Sequence, residues 1–304
     1  MSILKAAALQ KGDTVAVAAP ASPFDREEFE KGIKFLKSLG FNVIYREDIF
    51  SKNAYLAGSD QRRASELMEH LTNPQVKALF FARGGYGCQR IIPLLEENKI
   101  TQPKIVMGYS DISTLLTYLH QKLGWVVFHG PVLAKGMGDQ FAERGKNSLL
   151  KTLMDPSPLG EVKDEKIVYV REGKTQAVMV GGCLSLMITS LKSSYELDTR
   201  GKILFLEDTN EKPYAIDRML TQLRMSGKFD EIKGFVFGPF QNSGETDAEV
   251  ISVILDVLKG IDVPIVFGFP SGHIDNMLTI PLGTEVKLDS RKPVVEFVEG
   301  ALIQ

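Results

Sequence analysis

Along the first half of the chain short apolar runs alternate with amphipathic segments. Residues 14–19 form a β-branched and alanine run closed by Pro20, the mark of a buried strand. Phe29, Ile33, Leu36 and Leu39 then fall at helical spacing over 25–39, and Gly40 stops the helix. The same reading predicts a strand at 42–45 and a helix at 59–71 with Ser59 as its cap. A strand at 78–82, a helical segment at 88–95, a strand at 104–107, a helix ending at Leu123 and a strand at 125–128 follow. Strand and helix in this order imply a parallel sheet with crossover helices. Ligands of such sheets sit at the carboxyl ends of the strands. Three loops fall there, after Ala82, Met107 and Phe128.

A helix predicted over 142–154 runs into Asp155-Pro156-Ser157-Pro158-Leu159-Gly160, a Pro/Gly break that marks a domain boundary. The expected division is an N-terminal α/β domain over 1–155 and a C-terminal domain over 165–304. In the second half the pattern gives strands at 167–170, 177–180, 202–206, 234–237 and 264–267. It gives helices at 183–191, 213–225 and 248–258, and short strands joined by turns over 277–304. The topology of this half does not follow from the pattern.

Composition narrows the function classes. A chain of 304 residues has room for two domains with sizeable cores. Its 36 basic and 38 acidic residues are interspersed and leave a net charge of −2, which argues against a nucleic-acid partner. Cys88 and Cys183 lack the spacing of a metal knuckle and read as free thiols. There is no H-E-x-x-H and no aspartate ladder, so neither a metal nor a cofactor is expected. No stretch approaches the ~18 consecutive apolar residues of a membrane span. The opening segment is short and interrupted by Lys5, which makes a poor secretion signal. The expectation is a cytoplasmic protein with no membrane partner.

Candidate chemistry gathers in the loops. In Gly108-Tyr109-Ser110-Asp111 a strand ends, a serine is presented and a helix begins, a geometry that exposes a hydroxyl above the sheet edge. Taken locally, Ser110 also reads as a helix N-cap, and the G-x-S-x-G elbow pattern is not met. Arg83-Gly84-Gly85-Tyr86-Gly87 would let backbone approach a phosphate or an oxyanion closely, or form a tight turn. Of the four histidines, His70 is expected on a solvated helix face and His120 near a helix C-terminus, where a cation suits the dipole. His129 ends a strand and His273 lies in a loop after one, the settings expected of site residues. Glu207 and Asp208 close an apolar strand, placed either to orient an imidazole or as solvated turn carboxylates. Gly181-Gly182 before Cys183 reads equally as domain packing or ligand contact.

Taken together these pieces resemble the LD-carboxypeptidase family, which includes the microcin immunity peptidases. The matching segments are Ala82-Arg83-Gly84-Gly85-Tyr86-Gly87, Gly108-Tyr109-Ser110-Asp111, Phe128-His129-Gly130-Pro131, Val180-Gly181-Gly182, Leu206-Glu207-Asp208 and Gly272-His273. They stand in the family's order and span most of the chain. The resemblance implies a Ser-Glu-His triad with Ser110 as nucleophile, His273 as general base and Glu207 orienting it. It implies an oxyanion hole from the backbone N–H groups of Gly85 and Asp111. The implied fold is an N-terminal doubly wound parallel sheet domain plus a smaller, β-rich, swivelling-type α/β domain, with the site between them. A homodimer is implied as well. The implied substrate is a murein peptide, a tetrapeptide losing its terminal D-alanine in cell-wall recycling. Microcin-like acyl-adenylate mimics are the alternative substrate, and a non-catalytic ligand-binding module is the alternative of another class. Arg83 is the candidate cation for a substrate carboxylate. Cys183 stands where family members often carry Asn.

Overall fold

The computed structural model describes residues 3–134, 136–138 and 141–304. Five parallel strands form the first sheet: β1 (Thr14–Ala18), β2 (Asn42–Ile44), β3 (Val76–Phe81), β4 (Ile105–Gly108) and β5 (Val127–His129). Their order is β2-β1-β3-β4-β5: the parallel sheet that the alternating pattern implies, in the doubly wound arrangement that the family resemblance implies. Crossovers carry α1 (Arg26–Ser38), α2 (Asp60–Thr72), the single turn α3 (Cys88–Ile91) and α4 (Ser113–Leu123), and α5 (Glu143–Met154) follows the last parallel strand. Asp25 caps α1 by accepting from the Glu28 N–H, and Ser59 caps α2 by accepting from Arg62 N–H. The alternation of β1 sorts its side chains. Val15 and Val17 join Phe29 and Leu36 of α1 and Leu153 of α5, whereas Ala16 and Ala18 join Leu67 of α2 and Leu115 of α4.

The second half builds an eight-stranded mixed sheet. Its members are β6 (Gly160–Lys163), β7 (Val168–Arg171), β8 (Lys174–Cys183), β9 (Ile203–Thr209), β10 (Gly234–Gln241), β11 (Ile265–Phe267), β13 (Thr284–Asp289) and β14 (Val294–Phe297). The order is β6-β14-β13-β8-β9-β10-β11-β7, with β8 to β11 parallel and the flanking pairs antiparallel. Helices α6 (Leu184–Ser190), α7 (Pro213–Met225) and α8 (Asp247–Val257) cover its outer face. One strand returns: β12 (Ile280–Leu282) pairs antiparallel with β5 and completes the first sheet. The inner faces share one core, in which Val106 and Leu115 meet Phe205, Val236 and Phe269.

Three local expectations are corrected. Segment 88–95 is not one helix: α3 gives way at Ile92–Leu94 to a tighter 3₁₀ turn containing Pro93. His70 is buried, not solvated, and burial lowers its pKa. His120 is buried too and is held towards the neutral form by that burial, its Nδ1 lying 2.9 Å from Trp125 O. Its place in the last turn therefore does not make it a cation serving the dipole. Cys88 and Cys183 are free and buried.

Candidate active site

The serine loop is built by an uncommon backbone conformation. Strand β4 ends at Gly108, Tyr109 is extended at φ −150°, and Ser110 turns into the left-handed region at φ +59°. A non-glycine residue there costs roughly 1–2 kcal/mol and persists only where surrounding structure holds it. The cap expected of Ser110 is not made. Tyr109 occupies the cap position of the short turn Ser110–Ile112, and no side chain caps either that turn or α4. Gly108 is required, because a Cβ there would sit 2.6 Å from Ile112 Cγ2.

The glycine loop after β3 lies against this turn. A Cβ on Gly84 would come within 3.0 Å of Ser110 Cβ and 3.3 Å of its Oγ. Gly85, at φ +107°, packs so closely on Ser22 that a Cβ would collide with its hydroxyl. That hydroxyl accepts the Tyr86 N–H at 3.1 Å, and Ser22 N–H donates to Gly84 O at 3.3 Å. The loop is held from behind by Arg63 of α2, whose fully buried guanidinium donates to Gly87 O at 2.8 Å and to Pro20 O. Nothing in the sequence singled out Arg63, since an arginine on a helix normally reads as solvated. The Asp111 carboxylate is buried and accepts the Cys88 N–H at 2.8 Å, tying the serine turn to α3; burial raises its pKa.

The other half supplies a carboxylate and an imidazole. Along β9, Ile203 and Phe205 face the shared core, and Glu207 follows them with the same period of two. Leu204 and Leu206 face α6 to α8, and Asp208 shares that phase. Asp208 is buried and accepts the Ser185 N–H of α6 at 2.7 Å, so it anchors a helix start. Neither acid is a solvated turn carboxylate. Glu207 Oε2 lies 2.7 Å from His273 Nδ1 and accepts the His273 backbone N–H at 3.0 Å. Two glycines make that approach feasible. A Cβ on Gly272, at φ +138°, would lie 2.6 Å from Glu207 Oε2, and one on Gly238 would lie 2.9 Å from Glu207 Cβ. Burial pulls the His273 pKa down, but the hydrogen bond and charge of Glu207, helped by Asp208, outweigh it and leave it raised.

Tyr109 joins the two halves. Its ring centre is 4.9 Å from that of His273 and 6.2 Å from that of His129. Ser110 follows Tyr109 directly in the chain, next to the residue whose ring packs on His273. Among the described residues the Ser110 hydroxyl has no hydrogen-bond partner, His273 included. Arg83 is exposed, and its Nη1 donates to Pro23 O at 3.0 Å. It lies near enough to oppose burial, Glu207 and Asp275 in setting the Tyr109 hydroxyl, whose pKa is raised. The pair Gly181-Gly182 serves packing: side chains there would collide with Phe205 O and come within 3.0 Å of Ser113 Oγ. Cys183 N–H donates to the same Ser113 hydroxyl at 3.4 Å. Among the described residues no cluster of three or more His, Cys, Asp or Glu is placed to hold a metal ion. No described helix is long and apolar enough to cross a membrane.

Comparison with known proteins agrees with this architecture. The model of the LD-carboxypeptidase N-terminal domain matches residues 15–130, and that of the C-terminal domain matches residues 176–288. A probable murein peptide carboxypeptidase of Bacillus subtilis (strain 168) is 36% identical, over 98% of this chain and 97% of its own. The microcin C7 self-immunity protein of Escherichia coli is 27% identical, over 98% of this chain and 97% of its own. The crystal structure of a muramoyltetrapeptide carboxypeptidase from Oxalobacter formigenes matches with a TM-score of 0.85 at 26% identity, covering 96% of this chain and 100% of that one. Matched in both domains, in order, and along nearly its whole length by a relative, this chain belongs to the LD-carboxypeptidase family of peptidases.

Proposed function

We propose that this protein is a serine LD-carboxypeptidase that releases the terminal D-alanine of murein tetrapeptides during cytoplasmic cell-wall recycling, working as a homodimer. The observation that carries the reading is the buried Glu207 held 2.7 Å from His273 Nδ1, on the region where Ser110 is presented in a left-handed turn. In the mechanism, His273 Nε2 takes the Ser110 proton as Oγ bonds to the amide carbonyl carbon, and Glu207 stabilises the imidazolium. The oxyanion accepts from the N–H groups of Gly85 and Asp111; losing one such donor costs ~100–1,000-fold in rate. The C–N bond breaks as His273 returns the proton to the leaving amine, and water then releases the acyl group by the same route. The serine–imidazole hydrogen bond forms with substrate in place, since catalytic hydrogen bonds commonly tighten only in the complex. Arg83 is exposed at the edge of this region and available to pair bidentately with the terminal carboxylate.

The relative with a microcin immunity role keeps acyl-adenylate mimics as the second substrate class. The single tryptophan, Trp125, is 2% exposed, so no tryptophan is available to stack on a nucleobase. The test is mass spectrometry of L-Ala-γ-D-Glu-meso-diaminopimelate-D-Ala incubated with wild type and with Ser110→Ala. Loss of one alanine with wild type only is expected. Tetrapeptide left intact by the wild type would sink the murein assignment and move the assay to acyl-adenylate mimics. In the same assay Arg83→Ala is expected to slow the free acid and spare the C-terminally amidated peptide; equal losses would remove Arg83 from the clamp role.

A further inference from the structure

The carboxylate that holds His273 does so through Oε2 alone, which leaves a second oxygen. Glu207 Oε1 is buried without a hydrogen-bond partner. It faces His129, whose Nε2 lies 4.0 Å away; both side chains are fully buried. Both ring nitrogens of His129 also lack partners. Leaving a buried polar group unpaired costs about 1–3 kcal/mol, and more for a charged one. Two such groups therefore face each other across the shared core, one from β5 and one from β9. His70 gives the contrast. It too is buried without hydrogen bonds, but among the described residues no carboxylate lies within 4.0 Å of it.

We propose that His129 is a positioning residue: a neutral imidazole protonated on Nε2, it donates to Glu207 Oε1 and fixes the carboxylate that orients His273. The inference rests on the reading of Ser110, Glu207 and His273 as the triad. Closing 4.0 Å to a hydrogen bond of ~2.9 Å takes a shift of about 1 Å, within reach of side-chain rotation. The surroundings set the ring's plane: Phe205 packs edge-on at 5.1 Å between centroids, and Tyr109 lies on another side at 6.2 Å. They also set its charge. Burial, with the nearby His273, lowers the His129 pKa to about 3, so the ring stays neutral. Neutrality matters, because a cationic His129 would cancel the Glu207 charge that keeps His273 basic. A neutral donor holds the carboxylate in place and leaves its charge for the base.

Two measurements test this. Long-range ¹H–¹⁵N spectra of the histidine rings in wild-type protein read the tautomer directly. A neutral His129 carrying its proton on Nε2 is expected; a proton on Nδ1, with bare Nε2 towards Glu207, overturns the proposal and needs no variant to fold. The second measurement is the rate at which a fluorophosphonate labels Ser110, which reports activation of the serine without a natural substrate. His129→Leu is expected to lower that rate about tenfold, the effect of losing one hydrogen bond worth ~1.4 kcal/mol to a charged group. His129→Gln, whose amide N–H reaches towards the same oxygen, is expected to retain most of it. Equal rates in the Leu and Gln variants overturn the donor role. Labelling that persists in Ser110→Ala brings down the triad reading instead, and the two failures are thereby told apart.

Discussion

Burial pulls the proton off His273 and the Glu207 carboxylate holds it on the ring; the carboxylate's hydrogen bond and charge, helped by Asp208, are together the larger effect. A general base must be neutral to accept a proton, so kcat/KM is expected to rise with pH through a midpoint above the ~6.5 of a free imidazole. Glu207→Gln removes that charge and leaves burial, the largest single influence on the ring, opposed only by the weaker pull of Asp208. The midpoint of that variant should fall below ~6.5, and kcat should drop by up to ~10⁴-fold, as when the acid of a serine triad is amidated. The pair of pH–rate profiles checks both statements; an unmoved midpoint would mean that another group sets the acid limb. Several single residues escaped the sequence for one reason. Type alone does not report conformation or burial. A serine before an apolar run carries the grammar of a cap, and nothing in its identity records a φ of +59°. Arg63 and His70 sit on a helix whose polar residues outnumber its apolar ones, and both are nevertheless buried.

Elements were more legible than residues. In the first half the strands follow from short apolar runs and the helices, apart from the broken segment 88–95, from helical spacing, and ranges agree within a few residues because Pro20, Gly40 and Gly124 punctuate them. β6 was missed, since Gly160–Lys163 buries only Val162 and offers no period to read. On β9 both faces are apolar, so alternation could not tell which of Glu207 and Asp208 turns towards the first half; only the packed sheet separates them. The turn after β11 has a comparable dependence on its neighbour. Gly272 brings the His273 backbone onto Glu207, and a methyl group there would meet Oε2 at 2.6 Å. Gly272→Ala is expected to cost about 1–3 kcal/mol in strain and to slow turnover ~100-fold by displacing the carboxylate. Gly260→Ala is the matched control: φ is +83°, but a Cβ meets nothing within 4 Å. It should lose stability of a similar order with turnover intact. Denaturant melts and initial rates of the two variants separate strain from misplacement, and equal rates would show that Glu207 tolerates the shift.

At the scale of the molecule, the boundary read at 155–160 divides the sequence more cleanly than it divides the structure. Strand β12 leaves the second half to pair with β5, and near the two chain ends Ala7 bridges to Ile303 while Leu4 bridges to Trp125. The central core draws on both sheets, with Val106 and Leu115 against Phe205, Val236 and Phe269. A fragment ending at residue 155 would keep its outer core but expose this inner face and leave the β5 edge unpaired. An exposed strand edge beside an apolar face favours association. Residues 1–155 expressed alone are therefore expected to aggregate or to melt without cooperativity, whereas the full chain melts in one transition by calorimetry. A soluble fragment with a sharp melt of its own would mean that the shared core is a docking surface between independent domains. The distinction reaches the chemistry. Ser110 belongs to a loop of the first sheet, Glu207 to β9 of the second and His273 to the loop after β11, so the proposed triad exists only while that core is formed. If the fragment folds alone, its Ser110 should still fail to react with a fluorophosphonate, because the base and its carboxylate are carried by the missing half.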